Sequence, residues 1–271
     1  MAESPSASSS PGPRRRALVT GASAGIGEAF SERLAREQYD LILVACTRDR
    51  LEALAKRLVE SRGIGVEVLP ADLCQAADLH LVEEKLASDP TIDLLVNNAG
   101  FGNFGLVAEI DVDRLEAEIR LNVLALVRLT HAVLAPMVRR GRGAIINVSS
   151  MAGIQATPHN ANYGATKAFV NSFTEAIHEE LRGSGVRVQV LQPGFTHTEF
   201  QERAGIDTSN IPALAWMEAG EVVDASLAAL RRGDLVCVPG GMNKALAAVS
   251  GAMPRALSRR ILGAAARRFG G

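Results

Sequence analysis

The stretch that decides the fold is ALVTGASAGIG, residues 17–27. Apolar and β-branched residues 17–20 read as a short strand. They run straight into TGASAGIG, residues 20–27, with glycines at 21, 25 and 27 and a helical pattern beyond. At a helix N-terminus the free N–H groups and the helix dipole attract a pyrophosphate, and glycine lets the phosphates come close to the backbone. The spacing is G-x-x-x-G-x-G. An ordinary glycine-rich turn would give the same letters, but the strand–turn–helix context favours a phosphate site.

Working outward, short apolar runs alternate with longer helical patterns. Further strands are expected at LILVA 41–45, VEVLP 66–70, DLLVN 93–97, AIINVS 144–149, VRVQVL 186–191 and LVCV 235–238. Helices are expected at 25–38, 49–62, 113–140 and 161–183. Such alternation predicts an α/β fold, a Rossmann-type doubly wound parallel sheet of about seven strands with helices on both faces. No internal linker or repeat divides the 271 residues. The expected organisation is a disordered tail at 1–16, one catalytic domain at 17–241, and a basic helical extension at 242–271.

Composition narrows the function classes. Hydrophobic residues make up 47% and aromatics 4%, so Ala, Val, Leu and Ile must form the core. A formal net charge of −1 gives no field to attract nucleic acid. Cys46, Cys74 and Cys237 are far apart and odd in number, so neither a zinc site nor a disulfide framework is expected, and a reducing, cytoplasmic setting fits. The Ser/Pro-rich N-terminus lacks the apolar stretch of a signal peptide. No uninterrupted apolar run is long enough for an integral membrane span.

Polar segments close the strands. Asp72 and Leu73 in PADL follow the third strand, where Asp72 fits a helix N-cap as well as a ligand contact. NNAG, residues 97–100, closes the fourth and fits either a ligand crevice or a plain turn. NVSS, 147–150, closes the fifth, and QPGFTHT, 192–198, the sixth. These loops converge at one sheet edge, where open α/β folds bind ligands. Tyr163, one of two tyrosines, precedes Lys167 by four residues in YGATK. On a helix that places both on one face. The pair fits a lysine stem packed over a ring, or a phenol kept beside a positive charge.

Taken together in this order, TGASAGIG, NNAG, Asn122 in RLNVLAL, Ser150 in NVSSMAG, and Tyr163 with Lys167 in YGATK resemble the short-chain dehydrogenase/reductase family over about residues 17–240. The resemblance implies a catalytic tetrad of Asn122, Ser150, Tyr163 and Lys167. Ser150 is preferred to Ser149 because the family's serine lies thirteen residues before the tyrosine. A free phenol, with pKa about 10, is a poor base near neutral pH. The Lys167 ammonium and the nicotinamide charge are expected to lower that value, so that Tyr163 acts as the acid/base. Lys167 would hydrogen-bond the nicotinamide ribose, Ser150 would hold the substrate oxygen, and Asn122 would anchor a proton-relay water.

The resemblance further implies cofactor contacts from Gly21, Ser23, Ala24, Gly25, Ile26, Gly27, Cys46, Thr47, Arg48, Asp72, Leu73, Asn98, Ala99, Gly100, Tyr163, Lys167, Pro193, Gly194, Thr196 and Thr198. The second strand ends LVACTRDR with no acid before Asp49. Relatives with LVAR place an arginine where this chain has Cys46. Thr47 and Arg48 could still contact a phosphate, and Arg48 fits a solvated residue at a helix start equally well; NADP(H) is favoured over NAD(H). Substrate contacts are implied for Phe101, Phe104, Ser150, Ile154, His159, Phe195 and Phe200, with Trp216 nearby, which gives an apolar pocket and a small-molecule substrate. His159 reads as a loop residue rather than a catalyst. The expected activity is hydride transfer between NADP(H) and a carbonyl or secondary alcohol. A 3-oxoacyl-thioester reductase and a non-catalytic dinucleotide-binding redox sensor are the alternatives. Such reductases commonly form homodimers or homotetramers. The extension carries Arg255, Arg259, Arg260, Arg267 and Arg268 and no acid from Lys244 onward. It fits docking near the lid or at a subunit contact, and also peripheral membrane contact.

Overall fold

The structure, a computed structural model, describes residues 14–206, 208, 211–253 and 260. The expected tail up to residue 13 and most of the extension beyond residue 253 lie outside the described residues. A seven-stranded parallel sheet has the order β3-β2-β1-β4-β5-β6-β9. Its strands are β1 (Arg16–Thr20), β2 (Asp40–Ala45), β3 (Val66–Pro70), β4 (Ile92–Asn97), β5 (Gly143–Val148), β6 (Val186–Leu191) and β9 (Val236–Cys237). The order reverses between β1 and β4, the switch point where a crevice opens at the strands' C-terminal ends.

The apolar runs are near-continuous because both sheet faces are covered. On one face Val19, Leu41 and Leu43 pack with Phe30, Leu34, Leu54 and Leu227. These come from α1 (Gly25–Arg36), α2 (Arg48–Arg62) and α8 (Ala219–Arg232). On the other, Leu18, Ile42 and Val44 meet Val82, Leu129, Val133 and Ile177. These belong to α3 (Ala76–Ser88), α5 (Leu126–Arg139) and α6 (Ala161–Glu180). Neighbouring residues Leu18 and Val19 thus serve opposite layers, as strand alternation requires. Truncating such a side chain to alanine costs about 2–5 kcal/mol.

Three details depart from the sequence reading. Arg16, placed in the tail, opens β1, and Arg15 lies 4.4 Å over the Tyr39 ring. The stretch 195–218 forms β7 (Phe195–His197) and β8 (Trp216–Glu218), a small parallel pair with α7 (Phe200–Arg203) between them. Strands of three residues carry too little periodicity to be seen in sequence. The single helix expected at 113–140 is α4 (Val112–Ile119), a wide π-helical turn at Arg120–Ala125, then α5. Asn122 sits in the wide turn, and such turns mark functional positions. By length and composition alone, 112–139 would suffice to cross a membrane. Here its α5 half buries Leu126, Leu129, Val133 and Met137 against the rest of the domain.

Of the expected extension, α9 (Gly241–Ala252) is described. Asn243 is buried in it, donates to the Pro239 carbonyl at 3.0 Å, and leaves no room for a Cβ on Gly194. The Gln155 amide donates to the Ser250 carbonyl. The helix is thereby fastened beside two of the strand-end loops, while its Leu246 and Val249 stay exposed.

Candidate active site

At the switch point the turn after β1 needs its glycines. Gly21 and Gly25 have φ of +63° and +58°, a region costly for residues with a Cβ. A Cβ on Gly21 would lie 2.8 Å from Asn98 Nδ2, and one on Gly25 2.9 Å from Thr198 Cγ2. Ala24 caps α1 without a side-chain hydrogen bond, so the first-turn N–H groups lack a capping acceptor. A phosphate fits that deficit. Ser23, Ala24 and Ile26 are half-buried around it.

The ends of β4 and β5 are locked by buried polar pairs. Asn98 Nδ2 donates to the carbonyls of Thr20 (3.0 Å) and Gly21 (3.2 Å), and the Thr20 hydroxyl accepts from the N–H of Asn98 and of Ala99. Asn97 Nδ2 donates to Asn147 Oδ1 (2.9 Å) and Thr130 Oγ1 (3.0 Å), and Asn147 Nδ2 to Thr174 Oγ1 (3.0 Å). The network joins two strands to α5 and α6 and sets the height from which the next residues project.

Those residues are the two serines. Ser149 is 2% exposed and donates to the Lys167 carbonyl at 2.9 Å. Ser150 Oγ accepts from the Ala152 N–H at 3.1 Å and hydrogen-bonds the Tyr163 phenol. Lys167 is 4% exposed, its Nζ donates to the Val148 carbonyl at 2.9 Å and lies 5.6 Å from the Tyr163 ring centroid. Asn122 Nδ2 donates to the Phe101 carbonyl (2.8 Å) and Thr166 Oγ1 (3.1 Å), and its Oδ1 accepts from the Phe101 N–H (3.1 Å). Asn122, Tyr163 and Lys167 are therefore buried together, with the half-buried Ser150 beside the phenol.

The electrostatics differ from the expectation of a lowered phenol pKa. Burial pushes Tyr163 well above the ordinary tyrosine value, and the Ser150 hydrogen bond offsets only part of that. Burial lowers Lys167 to about 8, against the pull of the Glu118 carboxylate. In the protein alone, the phenol holds its proton through neutral pH.

A family profile described as short chain dehydrogenase matches residues 15–208. The chain belongs to the short-chain dehydrogenases. It is 34% identical over 257 residues to an uncharacterized oxidoreductase of Myxococcus xanthus, covering 94% of this chain and 97% of that one. A solved short-chain dehydrogenase from Sphingobium yanoikuyae in complex with NADPH superposes with TM-score 0.81 at 40% identity, over 89% of this chain and 97% of that one. The bulky-bulky ketone specific alcohol dehydrogenase from Comamonas testosteroni gives 0.76 at 34% identity, over 89% and 96%.

The other sequence-predicted residues of this short-chain dehydrogenase fall into groups. Cys46, Thr47 and Arg48 are exposed at the end of β2, and Arg48 pairs with Glu52 at 3.4 Å. Asp72 does not cap α3, which starts at Ala76. Its Oδ1 accepts from the Cys74 N–H at 3.0 Å in a local turn, with Leu73 buried beneath. The Pro193 carbonyl accepts from the Met151 N–H, and the Thr196 hydroxyl donates to the Gly194 carbonyl at 3.1 Å. Phe200 packs on Tyr163 with ring centroids 5.4 Å apart, and Phe104 stacks on His159 at 5.9 Å. Phe195 packs instead on Trp216, which also stacks on His197. Ile154 closes the short helical turn Met151–Gly153.

Sequence reasoning missed two side chains of this short-chain dehydrogenase. Glu118 is fully buried, and its Oε2 accepts from the Asn103 N–H (3.1 Å) and Asn103 Nδ2 (2.8 Å). Asn103, 6% exposed, also donates to the Arg114 carbonyl at 3.2 Å. The available signal was a carboxylate one helical turn before Asn122.

Proposed function

We propose that the chain is an NADP(H)-dependent reductase of bulky, apolar ketones that also runs the reverse alcohol oxidation. The observation that carries this reading is the buried Tyr163 phenol, with Ser150 beside it and the Lys167 ammonium 5.6 Å from its ring centroid. The NADPH-bound and bulky-ketone-specific relatives support the cofactor and the substrate class. Gly21, Gly25 and the open α1 N-terminus would hold the pyrophosphate, Thr47 and Arg48 the 2′-phosphate, and Lys167 the nicotinamide ribose. The cofactor supplies the hydride.

The protein's part is the proton. Ser150 Oγ would hold the carbonyl oxygen beside the phenol. Tyr163 would donate its proton to that oxygen as negative charge develops there. Burial keeps the phenol protonated, the form that reduction needs. The Lys167 ammonium would stabilise the phenolate left behind, and Asn122 would anchor the water that returns a proton. Next to the segment 101–103, Phe104 is exposed and stacked on His159, so an apolar substrate would cover it.

A cytoplasmic homo-oligomer completes the proposal. Val112, Ile119, Leu124 and Phe169 form an exposed apolar groove of about 680 Å³ along α4, the wide turn and α6. A second copy could cover that groove.

The test is NADPH consumption over a panel of ketones of rising bulk, beside 3-oxoacyl thioesters. Turnover should rise with apolar bulk, and kcat/KM should favour NADPH over NADH, less so in Arg48→Ala. Preference for 3-oxoacyl thioesters would replace the substrate class. Dinucleotide binding with no turnover on any substrate would favour a sensor.

A further inference from the structure

Residues 101–103 form one wall of the centre and are gripped twice from the helix that crosses behind them. Asn122 holds Phe101 by both its N–H and its carbonyl. One turn earlier, Glu118 holds Asn103 by its N–H and its side-chain amide. Between them, Gly102 lies so close to Tyr163 that a Cβ would come within 2.9 Å of ring atom Cδ2. The two grips therefore press backbone against the catalytic ring.

Glu118 also brings charge. A carboxylate with no exposed surface is costly unless donors and a counter-charge hold it. Its Oε2 has two donors from Asn103, and the Asn162 amide of α6 also acts on the carboxylate. Across the packed α4–α6 contact, the buried Lys167 draws the Glu118 carboxyl down more weakly than the amides of Asn103 and Asn162 do. Tyr163 is the other titratable group of α6 that feels it. On its own helix, Arg120 is committed to Glu116 on the exposed side, and Arg114 points to solvent. From the β3–α3 loop, the Cys74 thiol meets the neighbouring Ala117 carbonyl.

We propose that Glu118 is a positioning residue of the reductase centre, fixing the 101–103 wall against Tyr163 and placing a buried negative charge behind Tyr163 and Lys167. This rests on the assignment of Tyr163 and Lys167 to proton transfer. The electrostatic half can be read without turnover.

Burial raises the Glu118 carboxyl, while Asn103, Asn162 and, least, Lys167 draw it back. Removing its charge lowers the pKa of both Lys167 and Tyr163, because an anion raises both. The sign is thus the same for the coupled pair. The chain has four lysines, and Lys167 is the one brought down to about 8, so its side-chain NMR titration stands apart. In Glu118→Gln, which keeps shape and an acceptor, that titration should move down by about half a unit or more. The alkaline limb of the reductive pH profile should move the same way. Glu118→Asp, which keeps the charge, should leave the Lys167 titration nearer its original place than Glu118→Gln does.

An unmoved Lys167 titration in folded Glu118→Gln overturns the proposal, and so does an equal shift in Glu118→Asp. Independently of any variant, the Glu118 carboxyl carbon in the unaltered chain must report an ionised group at neutral pH. A protonated one overturns the charge role. If the unaltered chain turns over no carbonyl while the titration shifts as expected, the reductase reading fails and the electrostatic coupling stands.

Discussion

At the ends of β4 and β5, Asn97, Asn147, Ser149 and Lys167 are each 4% exposed or less, and each gives its hydrogen bonds to other buried groups. At the rim, Phe104 is 45% exposed and Phe195 40%, and each makes its contact with another ring. A polar group in the floor cannot move without leaving a partner orphaned in a low-dielectric interior, which costs about 1–3 kcal/mol each time. A ring at the rim can be exchanged for another apolar group at little cost. The floor is suited to holding reacting atoms still, and the rim to admitting one shape of molecule rather than another.

The contrast breaks first at Tyr163. Tyr163→Phe keeps the ring between Gly102 and Phe200 and removes only the hydroxyl. Turnover should fall by roughly 10²–10⁴-fold, with the melting temperature and dinucleotide affinity nearly unchanged. Steady-state kinetics beside thermal unfolding checks it, and near-normal turnover would move the acid elsewhere.

The adjacent serines sharpen the comparison within the floor itself. Ser150→Ala should lose activity on the scale of Tyr163→Phe with little loss of stability. Ser149→Ala should do the opposite. Losing its bond to the Lys167 carbonyl costs about 0.5–1.5 kcal/mol of stability, with a milder kinetic effect. Denaturant titration and kcat on both variants give the ordering, and the reverse order would exchange their roles.

A smaller effect follows from pH. Lys167 loses its proton near pH 8 in the free enzyme, while the phenol keeps its own well beyond. kcat/KM for carbonyl reduction should therefore decline as pH rises past about 8. A profile flat to pH 10 would mean that the ammonium is not needed. The sign for stability runs the other way. Unfolded Lys167 regains the ordinary lysine value, so between the two values the unfolded chain binds more protons and stability rises with pH.

The smallest effect is expected at the rim. Phe104→Ala should raise KM for the bulkiest ketones several-fold and leave small ketones and kcat almost untouched. An equal fall in kcat for all substrates would place Phe104 in the floor.

Much of the floor was legible in the sequence, because glycine at positive φ and amides at strand ends are local requirements with few substitutes. Gly21, Gly25 and Asn97 could be found on that basis, whereas Ser150 was chosen over Ser149 only by the family resemblance. The phenol's electrostatics were not legible. The spacing of Tyr163 and Lys167 shows their shared face, but the depth of burial that raises one pKa and lowers the other comes from the whole fold. Glu118 was hidden for a related reason. In the letters LEAEIR it looks like any charge on an exposed helix, and only the wide turn after it shows that it points inward. The rim was least legible, since Phe195 and Phe200 differ in neither type nor context, yet one packs on Trp216 and the other on the phenol.

The wide turn at Arg120–Ala125 also acts as a phase shift. Each residue of an α-helix advances the rotation by about 100°, and a π turn accommodates one residue more than a regular turn. Removing a single residue there would let α4 and α5 fuse into one regular rod while turning everything on α4 by about a quarter of a revolution or more. Glu118 would swing away from Lys167, and the apolar strip of Val112 and Ile119 would face a new direction. One codon lost from this segment would therefore strike the proposed catalytic centre and the outer surface together, although none of Ser150, Tyr163 and Lys167 had been replaced.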